Sequence, residues 1–117
     1  ILRFEHMSSK LEQLNDFLKE TPLDPFLHYA LANEYLKLGN EEEALIRFVA
    51  LTVQFPDYTG TYYHLGKLLE KLNRKEEAIS YYEKGMAVAQ SKRNMHALNE
   101  LRGAYRLALG EDEDEDY

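Results

Sequence analysis

Two stretches of this chain repeat one another at a fixed distance. When Pro25–Asp57 is laid over Thr59–Ser91, Tyr29 falls on Tyr63, Leu31 on Leu65, and "KLGNEEEAL" on "KLNRKEEAI", 34 positions apart. Small residues match as well, Ala32 with Gly66 and Ala44 with Ala78, and so do the large rings of Phe48 and Tyr82. A period of this length marks a supersecondary unit that cannot bury its apolar face alone and must stack on a neighbour.

Within each copy the apolar residues recur at helical spacing, which predicts helices over Pro25–Leu38 and Thr59–Leu72, then Glu41–Phe55 and Lys75–Ala89. Asp24 is an N-cap in front of Pro25, whose missing N–H loses no bond at a first helical position, and Asp57 is placed as the cap of the next copy. Asn40 with Glu43, and Asn73 with Glu76, have capping-box spacing at the joints. Leu11, Leu14, Phe17 and Leu18 give an amphipathic helix before the repeats. Leu98, Leu101, Tyr105 and Ala108 give one after them, closed by Gly110. The ring pair Phe48 and Tyr82 is expected to wedge each hairpin, with Ala32, Gly66, Ala44 and Ala78 allowing the backbones to approach.

Composition narrows the chemistry. Of 21 acidic residues six lie in Glu111–Asp116, so the rest of the chain is close to neutral against its 14 Lys and Arg. With no concentrated basic stripe, nucleic acid is not an expected partner. No apolar run has membrane length, so no membrane partner is expected. Absence of cysteine removes disulfides and thiolate chemistry and suits a reducing compartment, here read as the cytoplasm. No nucleophile, base and orienting group stand together and no histidine has metal-ligand spacing, so neither an enzyme nor a cofactor is expected.

The pattern Leu31-Ala32, Tyr35, Ala44, Phe48 and Pro56, then Tyr62, Leu65-Gly66, Ala78 and Tyr82, resembles the tetratricopeptide repeat family, nearest to small bacterial members of unassigned role. The sequence departs from that pattern at Leu69, at His28 and at Gln90, the position matching Pro56. The resemblance implies an all-α fold: a right-handed α-solenoid of stacked antiparallel helical hairpins, with about two units between flanking helices. Residues 1–7 are read as leader or expression-derived sequence, 8–23 as an N-terminal capping helix, 24–57 and 58–91 as the two repeats. Residues 92–110 are a closing helix or partial third repeat, and 111–117 a solvated acidic tail.

The family's first helices line a concave face, which implies partner contacts from Phe26, Tyr29, Asn33, Leu36 and Lys37 in the first copy and Tyr63, Lys67, Glu70 and Lys71 in the second. Such a mixture of rings, amide and charge suits an unidentified peptide or protein. For the aromatic members a packing role stands beside the contact role, and for the charged ones local ion pairing does. At the positions of the family's terminal-carboxylate clamp stand Tyr29, Asn33, His64, Asn94 and Leu98; only Asn33 keeps a clamp-like group. The function expected is therefore a non-enzymatic peptide- or protein-binding adaptor, the alternative being a self-association module forming a homo-oligomer. A contact of the acidic tail with Lys67 and Lys71 is a further expectation.

Overall fold

The computed structural model describes residues 9–110. The leader and acidic-tail readings, and the tail's contact with Lys67 and Lys71, therefore lie outside the described residues. Six helices follow one another: α1 (Ser9–Glu20), α2 (Pro25–Lys37), α3 (Glu41–Gln54), α4 (Gly60–Lys71), α5 (Lys75–Ser91) and α6 (Met95–Ala108). The described chain is all-α and built from helical hairpins. It divides into one unit ending at Phe55 and another starting at Pro56.

In the first unit α2 and α3 form the hairpin and α1 covers α2. Leu11, Leu14 and Leu31 make a small core, joined by Leu18, Leu27, Ala30 and Tyr35. Phe17, expected in this face, is instead 56% exposed. Six residues at about 100° each carry it roughly a third of a turn away from Leu11, whereas Leu18 returns to the same line. Phe48 is fully buried, as its repeat position requires.

In the second unit α4 and α5 form the hairpin, with α6 packed on both through Leu98, Leu101, Ala104 and Ala108. Tyr82 is fully buried, and a Cβ built on Gly66 would lie 2.1 Å from its ring. Gly85 is crossed in the same way, somewhat less tightly, by Tyr62, whose Cβ would sit 2.5 Å from an added methyl. The two glycines let α4 and α5 each take the other's ring against bare backbone.

The joints share one geometry. Gly39, Asn73 and Arg93 adopt positive φ of 83°, 62° and 58°. The following residue donates back across the turn, Asn40 N to Tyr35 O, Arg74 N to Leu69 O and Asn94 N to Ala89 O, at 2.8–2.9 Å. These are Schellman closures, in which one left-handed residue satisfies the last carbonyls of a helix. Asn40 and Asn94 then cap α3 and α6, accepting from Glu43 N at 3.2 Å and Ala97 N at 3.1 Å.

Two capping expectations are corrected. Asn73 is the left-handed closer of α4 rather than the cap of α5; that place falls to Arg74, which makes no side-chain cap bond and instead grips Glu77 with two bonds. Asn suits either role because its short amide can cap and its backbone tolerates positive φ. Asp57 does not cap α4. Thr59 holds that position, without a side-chain cap bond, and the Asp57 carbonyl accepts from Lys92 Nζ at 3.2 Å.

The missing proline has a visible effect. Pro56 disfavours helical backbone at Phe55, and α3 stops at Gln54 after 14 residues. At the matching position Gln90 imposes no such limit, and α5 runs for 17 residues to Ser91, beyond the expected Ala89. Everything after it is displaced by three positions relative to the repeat.

Candidate functional site

The sequence starts α2 sharply: Pro25 sits in its first turn, and the Asp24 carboxylate accepts from Phe26 N at 3.0 Å. That fixes the phase of the helix, and residues 26, 29, 33 and 37 fall along one stripe. Phe26, Tyr29, Asn33 and Lys37 do line one groove of about 180 Å³, together with Ala30, Glu34 and, from α1, Lys10. Leu36 is partly buried and does not line it.

The groove has an open end and a fixed wall. Phe26 is 56% exposed, while the Tyr29 ring stands 6.4 Å from Phe26 and 6.3 Å from buried Phe48. Tyr29 thus joins the core to the surface, packing against Phe48 while lining the groove. Glu34 is only 7% exposed, an acid placed beneath the polar rim of Asn33, Lys10 and Lys37. Sequence reasoning missed Lys10 and Glu34. Their helical positions are readable, but nothing local reports which residue of α1 comes opposite which residue of α2.

In the second unit the expected residues lie along α4. Tyr63 meets His64 edge-on at 5.5 Å, and Lys67 Nζ lies 5.8 Å from the Tyr63 centroid, within reach of a cation–π contact. Lys71 is exposed. Glu70 accepts a 2.5 Å hydrogen bond from the Tyr82 hydroxyl, and it also borders an open cleft of about 450 Å³ with Asn73, Lys75, Leu107 and Ala108. One carboxylate therefore anchors the packing ring and faces solvent. The clamp positions do other work: Asn94 caps α6, and Leu98 is buried.

Electrostatics follow from burial. Desolvation first, then the bond to Glu70, push the Tyr82 phenol far above its ordinary range. Tyr62 is raised too, by burial and then by Asp57, while its hydroxyl donates to the Pro56 carbonyl at 2.6 Å. Burial lowers His64, with Glu100 opposing. For the two phenols the sign is plain: the folded chain holds its protons where the unfolded chain releases them. Stability is intact below about pH 10 and falls as pH rises above it. Urea midpoints measured from about pH 8 to pH 11 should fall more steeply for the native chain than for Tyr82→Phe; parallel curves would show that Tyr82 does not carry the effect.

Among the described residues no cluster of three His, Cys, Asp or Glu could hold a metal, and no helix is long and apolar enough to cross a membrane. What the geometry offers is a helical-hairpin scaffold presenting rings, amides and charges from its first helices, the class of repeat proteins whose fold generally mediates protein–protein interaction.

The comparisons with known proteins agree. Residues 59–92 match the family described as tetratricopeptide repeat. A tetratricopeptide repeat domain protein from Salinibacter ruber, known by crystal structure, is 48% identical, with a TM-score of 0.72 over 74% of this chain and 97% of that one. A solution structure of such a domain from the same organism gives 48% identity and a TM-score of 0.73, over 74% of this chain and 88% of that one. A Bordetella parapertussis protein solved in solution is 27% identical, with a TM-score of 0.74 over 93% of this chain and 95% of that one. No curated protein matches. The chain belongs to the tetratricopeptide repeat family.

Proposed function

We propose that this protein is a peptide- or protein-binding adaptor that recognises its partner with the exposed faces of its first helices. The contacts are assigned to Phe26, Tyr29, Asn33, Leu36 and Lys37 on α2 and to Tyr63, Lys67, Glu70 and Lys71 on α4. The observation that carries the reading is the α2 groove, where a half-exposed ring, an amide and two ammonium-bearing side chains converge on a volume of about 180 Å³. Phe26 and Tyr29 offer an apolar seat, Asn33 can pair with a peptide backbone, and Lys10 and Lys37 can meet carboxylates. A peptide with an apolar side chain next to an acidic one fits these groups. A cytoplasmic setting suits a chain without cysteine.

The test is capture from a random peptide library by the intact chain, followed by titration of the selected peptide against Phe26→Ala and Asn33→Ala. Neither residue belongs to the buried core, so thermal unfolding should be little changed. An exposed ring acting as an anchor should reduce affinity by about tenfold or more on removal. Undiminished affinity in both variants, with the fold retained, would move the site off α2.

A further inference from the structure

The closing residues of the first helices set a common register. Gly39, Asn73 and Gly110 end α2, α4 and α6 with positive φ of 83°, 62° and 82°. Seven positions before each stands a small residue, Ala32, Gly66 and Gly103. In α4 that glycine is the seat of the Tyr82 ring, delivered by the segment that follows Asn73, and its flanks Leu65 and Leu69 are buried at 0% and 1% exposure. Among the described residues the seat in α6 is open: a Cβ on Gly103 would have nothing within 4 Å. Its flanks are Arg102 and Arg106, both exposed, with exposed Asn99 one turn earlier.

So α6 retains the small residue on which a ring can rest and replaces the apolar flanks with two cations. The segment that follows Gly110, where α3 follows Gly39 and α5 follows Asn73, is Glu111–Tyr117: six consecutive acids and then a ring. We propose that this acidic segment docks on the face of α6 carried by Asn99, Arg102, Gly103 and Arg106. Its carboxylates meet the two guanidinium groups, and Tyr117 reaches the bare backbone at Gly103.

Length permits it. Seven extended residues span about 23 Å, whereas the seven helical residues from Gly103 to Gly110 rise only about 10 Å. Sign selects the occupant, since a basic or apolar segment would gain nothing from Arg102 and Arg106. Glu100 stands at the edge of the same face and favours an approach along the arginine side. Each exposed pair is weak on its own, but the tether supplies a high effective concentration, and the contact must fade when salt screens it.

Because the chain has no cysteine, Asp114→Cys gives a single site for a nitroxide spin label in the full chain. At about 20 mM salt, amide signals from Asn99 to Arg106 should lose at least half their intensity, and they should recover at about 1 M salt. Introducing Arg102→Glu and Arg106→Glu into the labelled chain should restore the signals even at low salt, with thermal unfolding confirming that the fold is kept. Full intensity along α6 at low salt, or losses centred on Lys67 and Lys71, would overturn the proposal. Equal losses in a mixture of spin-labelled and isotope-labelled chains would also overturn it, assigning the face to the acidic segment of a second copy.

Discussion

Replacing Tyr82 or Phe48 with alanine should destabilise the protein by about 3 to 5 kcal/mol, a large share of what holds a domain of this size together. Both rings are fully buried at matching positions of their hairpins. Removing either leaves a void between two helices whose separation is set by neighbours that cannot collapse into it. Tyr82→Ala carries a second loss, because Glu70 gives up the 2.5 Å bond that it accepts from the phenol. Chemical unfolding followed by circular dichroism measures both. A change of less than about 1 kcal/mol in either variant would mean that these rings are not the wedges of their hairpins.

Gly66→Ala is expected to destabilise by about 1 to 3 kcal/mol although alanine is the better helix former. The new methyl would lie 2.1 Å from the Tyr82 ring, and the ring, buried on all sides, has nowhere to swing. The control is the double substitution. If the clash is with that ring, Gly66→Ala combined with Tyr82→Leu should be less harmful than the sum of the two single changes, because a shorter side chain gives room to the methyl. Simple additivity would place the obstruction elsewhere.

The hairpins were legible in the sequence because their positions are dictated by burial and recur. Leu31 and Leu65, Ala44 and Ala78, Phe48 and Tyr82 are all at 1% exposure or less. Less legible were positions where one residue type answers two demands. Asn73 carries a capping-box signature yet serves as a left-handed closer, and Phe17 lies near the apolar line of α1 without joining it. Thr61 stands where the first copy has Leu27; it is fully buried, its Oγ1 finds no hydrogen-bond partner among the described residues, and a hydroxyl at that place announces none of this beforehand.

For the candidate site the resemblance to the tetratricopeptide repeat family named four of the residues that meet in the α2 groove. It could not name Lys10 or Glu34, because a periodic pattern describes one helix at a time and says nothing of the azimuth at which a second is laid across it. The three-residue extension of α5 had a similar effect on α6. Only when Gln90 is seen to let the helix continue does Gly103 come into register with Ala32 and Gly66.

The bond between Glu70 and Tyr82 means that the proposed contact of a partner at Glu70 would fall on the same carboxylate that holds the hairpin's packing ring. A partner cation drawn to that carboxylate would compete with the phenolic proton, so occupancy on the outside of α4 would be felt in the seam beneath it. Binding there would be thermodynamically linked to the tightness of the hairpin, and the molecule would report its partner through its own melting.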